Sequence, residues 1–307
     1  MFTHARHQAF PIPNDAVAGL CVLASGSAGN CSVLVAPASD DPGTRRRVTL
    51  IDCGLSPRKT ARLLAGLSID PYEVDDIVLT HLDTDHCHPG WAGALSTRAW
   101  NARLRLHRMH RGRAERAGLL TNPTELFEGP FSLGPRLNAE PTLMSHDDLG
   151  VASFRFRIER ESAPEPADLG FATDLGRATD DLIEHLHGVD TLAIESNYCP
   201  RLQECSDRPA FLKHRITGGS GHLSNQEALR AVERIQPRDH VVFLHLSREC
   251  NRPELVSALH AGGDYSFTIS QQHRPTRWVW LRKGHGAPRP APAPVVRGVQ
   301  PSLFHAR

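Results

Sequence analysis

Between residues 79 and 90 the chain reads LTHLDTDHCHPG, which puts His81, Asp83, Asp85, His86 and His88 on one short segment. Imidazole nitrogens and carboxylate oxygens are the donors that zinc, manganese and iron take from proteins. An apolar run, VDDIVLT, leads into the segment, and a tight loop after a strand lets residues two apart turn into one pocket. Any one of these histidines is at home on a polar loop. Several ligand-type side chains at alternating positions behind a buried strand are another matter, because an ordinary core has no use for that much desolvated charge. Further donors recur at comparable places. His146 follows PTLMS, Asp174 ends GFAT, His222 lies in GGSGHLSN and His245 ends VVFL. Each alone fits a surface or capping role. Together they follow apolar strands or glycine-rich loops, from which strand ends can build a site.

The elements that must hold these residues are legible as apolar runs between turn residues. GLCVLASG and CSVLVAP predict two buried strands joined by the turn SGSAGN, and RRVTLIDCG predicts a third that ends at Asp52. SPRKTARLLAGL predicts a helix with Ser56 as N-cap, Pro57 in the first turn and Leu63, Leu64 and Leu67 on one face. VDDIVLT is a strand, and a helix is expected to start near His88 and run through GWAGALSTRA. Weaker strands are expected at 103–107, 138–144, 151–158 and 169–173. TDDLIEHLHG, SNQEALRAVERI and RPELVSALHAG read as helices, the second with a capping box from Ser224 and Glu227. TLAIES, HVVFLHLS and 276–281 read as strands. Hairpin-like strands come first and a strand–helix mixture follows, so the class is layered α/β or α+β rather than doubly wound. Residues 1–16 are expected to be a loose arm and 17–283 one folded domain. From 284 the Pro/Ala/Gly-rich sequence predicts an extended tail.

The 307 residues are 40% hydrophobic, enough for a sizeable core, and the formal net charge is +1, so no global field draws a polyanion. The 7 cysteines are scattered and form no C-x-x-C pair, which argues against a disulfide framework or a cysteine zinc knuckle and for a reducing, cytoplasmic setting. No apolar run approaches the ~20 residues that span a bilayer. The N-terminus lacks a secretory signal's apolar stretch, so no membrane association is expected.

Several further stretches carry a resemblance: LASGSAGNCSVLV near the start, IDCG at 51–54, THLDTDH at 80–86, SHD at 145–147, ATDLG at 172–176, ESN at 195–197, RITGGSGHLSN at 215–225 and FLHLSRECN at 243–251. Over residues 18–282 the chain resembles the metallo-β-lactamase-fold hydrolases, and SGSAGN and GHLSN narrow the likeness to their YycJ/WalJ-like branch. The resemblance implies an α+β fold, a four-layer αββα metallo-β-lactamase sandwich, with a dinuclear site on the rim of the two sheets. It implies that His81 and His146 hold a first metal, that Asp85, His86 and His245 hold a second, and that Asp174 bridges. His222 is similar to a histidine of related phosphodiesterases that is not a ligand and that donates a proton or stabilises the phosphorane. H-x-D-x-D-H departs from the family pattern at Asp83, where a His ligand is usual, and Tyr198 stands where many relatives carry His. A carboxylate at 83 is a harder ligand than imidazole and moves preference from zinc towards manganese or iron. The flavodiiron branch of the fold similarly accepts a carboxylate there.

Two divalent ions about 3.5–4 Å apart hold a bridging hydroxide that is nucleophilic at neutral pH, and they clamp a phosphoryl oxygen. Asp85 would serve that chemistry as a ligand, and His222 would protonate the leaving alkoxide. The expected activity is metal-dependent phosphodiester hydrolysis, and by resemblance a DNA exonuclease. Two alternatives stay open: a small-molecule hydrolase of the same fold acting on a lactone, thioester or cyclic phosphodiester, and an iron-binding oxidoreductase, although no flavin module follows. Substrate contacts are expected from Asn30 in the Gly/Ser turn, from Lys213 and Arg215 near His222, and from Asn225 in the GHLSN element. The arginine runs at 103–116 and 45–47 read either as phosphate contacts or as solvated faces. Gln300, Leu303 and Phe304 near the C-terminus form a Q-x-x-L-F pattern that resembles bacterial sliding-clamp-binding peptides, on a Pro-rich tether. A Gln at a pocket rim with Leu and Phe filling it is a compact anchor.

Overall fold

The computed structural model describes residues 12–38, 46–121, 123–144, 148–160, 165–219 and 221–284. His146, Gln300, Leu303 and Phe304 lie outside the described residues. Strands β1 (Ala18–Ala24), β2 (Cys31–Pro37), β3 (Arg46–Ile51), β4 (Val74–Val78), β5 (Arg103–His107) and β6 (Thr124–Phe127) lie side by side in chain order in one sheet. Strands β7 (Phe131–Gly134), β8 (Leu137–Met144), β9 (Val151–Ile158), β10 (Ala167–Ala172), β11 (Thr191–Glu195), β12 (His240–Leu244) and β13 (Ser266–Ile269) form a second. The last strand, β14 (Val279–Leu281), returns to the edge of the first sheet, antiparallel to β1.

Each sheet begins antiparallel and ends parallel. β1, β2 and β3 are joined as hairpins, whereas β3 to β6 run parallel. In the second sheet β7 to β10 alternate, and β10 to β13 run parallel. Parallel neighbours need crossovers, and helices supply them. In the first half these are α1 (Pro57–Ala65), α2 (Gly90–Ser96) and α3 (Arg111–Arg116). In the second half α4 (Asp180–Leu186), α5 (Pro200–Glu204), α6 (Ala210–Thr217), α7 (Asn225–Ile235) and α8 (Pro253–His260) follow.

Strand periodicity makes the layers. On β1, Leu20 and Val22 face the second sheet and meet the apolar layer of Phe154 and Phe156, while Cys21 and Leu23 face outward onto the layer of Leu64 and Trp91. The outer face of the second sheet buries Leu192, Ile194 and Phe243 against Leu182, Val232 and Val256 of the helices. The result is helix, sheet, sheet, helix, as the resemblance implies. Among the described residues no helix is long and apolar enough to cross a membrane.

The arginine runs are largely satisfied by neighbouring carboxylates. Arg46 pairs with Glu73 and Arg47 with Asp76. Arg105 is buried on Asp76 at 2.8 Å, Arg108 meets Glu128, and Arg111 meets Glu115 one turn along α3. These pairs tie strands and crossovers together, which favours the structural reading of both runs.

Candidate active site

Parallel strands deliver their C-terminal ends to one rim of the sandwich. β3 leads to Asp52, β4 to Thr80 through His86, β10 to Asp174, β11 to Glu195 and β12 to His245. Asp52, Asp174 and His245 sit at φ 60°, 52° and 55°, in the left-handed region. Few residues other than glycine adopt it, with Asn, Asp and His the best tolerated. The chain therefore breaks sharply as each of these strands ends, and a donor stands at each break.

Asp174 is the hub. Its Oδ2 lies 2.7 Å from His86 Nε2 and 3.3 Å from His81 Nε2. Its Oδ1 lies 2.5 Å from His245 Nδ1 and 3.5 Å from His222 Nδ1. Asp85 Oδ2 stands 3.5 Å from His245 Nε2 and 3.7 Å from His86 Nε2. Donor atoms of Asp85, His86, Asp174 and His245 thus fall within 4.8 Å of one another, and so do those of Asp174, Glu195, His222 and His245.

The imidazoles are braced from behind. His86 Nδ1 lies 2.7 Å from Asp52 Oδ2, and Thr80 Oγ1 donates to the same carboxylate while standing 3.0 Å from His81 Nδ1. With one nitrogen held by a carboxylate, the other is fixed in direction. Asn30 Nδ2 lies 2.9 Å from His86 Nε2, and the Asn30 backbone N–H donates to the Asp85 carbonyl at 2.7 Å. Gly54 makes that approach possible: a β-carbon there would stand 1.7 Å from the Asp85 carbonyl oxygen. Glu195, fully buried at the end of β11, lies 3.1 Å from His222 Nδ1 and accepts from the N–H groups of Leu175 and Leu223.

Burial alone would raise the carboxyl of Asp174, yet His245 and His86 hold it well below its usual range. Burial likewise opposes charge on His86 and His245, but Asp174 drives both well above an ordinary imidazole, with Asp52 adding to His86. Glu195 is pushed up by burial and pulled below its usual value by His222. Protons thus balance the carboxylates at this rim. The donor set fits a divalent cation: imidazole nitrogens and carboxylate oxygens converge in a buried place, and the buried Nε2 of His245 makes no hydrogen bond.

The cluster floors a cleft of about 510 Å³ whose lining includes Asp83, Asp85, Asp174, Arg208, Arg215 and His222. Asp83 sits apart from the hub. Its Oδ1 pairs with Arg113 of α3 at 2.8 Å, and its Oδ2 is 3.9 Å from His81 Nε2. His88 turns away and accepts from the Gly90 N–H. Lys213 does not line the cleft. It lies roughly opposite Arg215 around α6, and its ammonium donates to the Glu204 carbonyl. Asn225 is buried beneath the rim, where it joins Ser196 of the β11 exit to Asn251. Asp52, Glu195 and Arg208 were not singled out from sequence as site residues. Asp52 and Glu195 each had one signal, an acid at the end of an apolar strand.

A helix–sheet–sheet–helix sandwich with a histidine and aspartate cluster on its rim is the arrangement of metal-dependent hydrolases of the metallo-β-lactamase fold. Residues 46–246 match the model of the Beta-lactamase superfamily domain, and the chain belongs to that family. It is 29% identical over 242 residues to Exodeoxyribonuclease WalJ of Streptococcus pneumoniae serotype 2 (strain D39 / NCTC 7466), covering 76% of this chain and 84% of the relative. It is 26% identical over 249 residues to Exodeoxyribonuclease YycJ of Bacillus anthracis, with the same coverage. Its fold is similar to that of the metallo-beta-lactamase fold protein YhfI from Bacillus subtilis, with a TM-score of 0.59 at 16% identity over 85% of this chain and 99% of YhfI.

Proposed function

We propose that this chain is a metal-dependent exonuclease that hydrolyses phosphodiester bonds in DNA. The observation that carries the reading is the division of labour among the histidines around Asp174. Side chains of His81, His86 and His245 are 0 to 3% exposed, whereas that of His222 is 21% exposed. The shielded three are suited to hold cations and the accessible one to meet substrate. Glu195 stands at the Nδ1 side of His222 and orients the ring, whose part in this reading is to hand a proton to the leaving alkoxide. In this reading His81, with Asp83 near it, and His146 would hold one ion, Asp85, His86 and His245 would hold a second, and Asp174 would serve both. Bound divalent cations supply a water-derived nucleophile at neutral pH and offset charge on the phosphoryl group. Arg215 meets the substrate phosphates, Asn30 steadies His86, and Asn225 anchors the loop that carries His222. The names of the curated relatives, both exodeoxyribonucleases, support DNA as the substrate.

The test is purified protein with end-labelled single- and double-stranded DNA, with manganese or zinc and with chelator, beside bis-p-nitrophenyl phosphate. Shortening of labelled DNA that chelator abolishes supports the reading. Turnover of the small diester with intact DNA would replace it by a small-molecule phosphodiesterase, and no turnover of either would overturn it. The Q-x-x-L-F pattern of Gln300, Leu303 and Phe304 extends the proposal to a sliding clamp as partner. A peptide of residues 296–307 should bind the host's clamp, and a Leu303→Ala/Phe304→Ala peptide should not. Equal binding of the two at ~100 μM would remove the clamp from the scheme.

A further inference from the structure

Helix α6 carries a side chain that the hydrolytic chemistry does not use. Phe211 is 76% exposed, more than any other large hydrophobic side chain among the described residues. The helix beneath it is seated through one apolar edge. Ile216 packs with Tyr198 and Cys250, and Leu212 and Leu202 close the same apolar cluster. Leu212, Arg215 and Ile216 of α6 line the cleft. Phe211 is not itself part of the lining, but it is the neighbour of Leu212 and stands one turn before Arg215, so on the helix it adjoins two residues that are. Arg208, just ahead of the helix, lines the same wall and is held in place by Glu249 at 2.8 Å and by Ser247 and Gln203 at 3.3 Å. The helix itself, AFLKHRIT, has Lys213, His214 and Arg215 and no carboxylate.

We propose that α6 is a platform for the unpaired end of a nucleic-acid strand, on which Phe211 stacks against a base while Arg215 and Arg208 hold the adjoining phosphates. This rests on the exonuclease reading and names the form of substrate it takes. Cationic groups along a backbone track with an aromatic face beside them are the pattern by which single strands are held without regard to sequence, because every base offers a π-face. An enzyme that removes nucleotides one after another needs that tolerance. The charge matches as well: the cleft floor is acidic at Asp83, Asp85 and Asp174, and the wall beside it carries Arg215 of α6 and Arg208 just ahead of it, so a polyanion is drawn to that wall beside the metal ligands.

The experiment uses the full-length protein with a short single-stranded oligonucleotide carrying phosphorothioate linkages and a terminal 2-aminopurine. Wild type should quench the 2-aminopurine on binding. Phe211→Ala should bind about tenfold more weakly with little quenching, the loss expected for one base–aromatic stack. Phe211→Trp should restore both. In turnover, Phe211→Ala should lose kcat/KM on the same oligonucleotide with ordinary phosphodiester linkages about tenfold more than on bis-p-nitrophenyl phosphate, which has no base to stack. Equal quenching and affinity in wild type and Phe211→Ala would overturn the platform. So would a wild-type oligomer, seen by light scattering, that Phe211→Ala dissociates, since the residue would then be a contact between copies. Quenching that depends on Phe211 without any cleavage of unmodified DNA would leave the platform standing and remove the exonuclease reading instead.

Discussion

Asp174 and His222 share the same rim but should answer differently to removal. His86→Ala and Asp174→Ala each delete a donor from the buried cluster, so both are expected to lose metal, read by elemental analysis, and hydrolysis with it. Full metal and full activity in either variant would move the centre elsewhere. His222→Ala should keep its metal and lose roughly 10²–10⁴ in rate, the size of a general-acid contribution. Asp83 offers a finer test. Its carboxylate is already paired with Arg113, so Asp83→His exchanges an ion pair for an imidazole at the edge of the site. The variant should stay folded and carry a larger zinc fraction, because imidazole suits zinc and carboxylate suits harder ions. Unchanged metal content would show that residue 83 does not touch the metals. Away from the site, His260 is buried, lies 2.7 Å from the Tyr265 hydroxyl, and is held by burial at about 4. In the unfolded chain it titrates near 6.5, so between these values the unfolded state binds more protons. Its contribution is complete above ~6.5 and declines as pH falls towards about 4, by about 2 kcal/mol at pH 5. Urea midpoints at pH 7 and 5 should therefore differ more for wild type than for His260→Phe, and equal differences would refute the assignment.

At the scale of elements, α7 shows how a cap serves a site. Ser224 Oγ accepts from the Glu227 N–H, and Glu227 Oε2 accepts from the Ser224 N–H, immediately after His222 and Leu223. Ser224→Ala should cost about 1 kcal/mol in denaturant unfolding. It should also lower activity, since the Leu223 N–H and the His222 ring both address Glu195. This capping box was legible in sequence, as were the Ser56 cap of α1 and the span of β9 over 151–158, because caps and long apolar runs are local signals. Strands β6, β7 and β13 were not. Each has four residues and an incompletely buried pattern, so neither length nor alternation marks them. Helices α5 and α6 are too short for an apolar period to show and escape notice for the same reason. The donors His81, Asp85, His86, Asp174 and His245 could be picked out from their places after apolar strands. Glu195 and Asp52 could not be given roles, since those depend on side chains far apart in the chain meeting at one rim. The Arg113 partner of Asp83 is likewise invisible until β4 and α3 are folded together.

In the whole molecule the donors are split between the two sheets. Asp85 and His86 follow β4 of the first, and Asp174 and His245 follow β10 and β12 of the second. A cation held by both groups joins the halves at the rim where their shared apolar layer ends. Binding to the folded state alone stabilises it in proportion to the logarithm of ligand over Kd, about 2.7 kcal/mol at a hundredfold excess. Chelation should therefore lower the melting temperature of wild type, and manganese or zinc should restore it. Asp174→Ala should melt at the same temperature with and without metal. A wild type indifferent to chelator would mean that the sheets are not bridged this way.

The left-handed backbone at Asp52, Asp174 and His245 also bears on how such a centre can evolve. At those three positions a new residue must accept a conformation that most side chains resist, so Asp to Glu is not a silent exchange at Asp52 or Asp174. His81, Asp83, Asp85 and His86 carry no such restriction, since none of them is left-handed. The backbone therefore constrains substitution less on the β4 loop than at Asp52 of the same sheet or at Asp174 and His245 of the other. The Asp at position 83, the one departure from the usual pattern within that motif, falls on the permissive side.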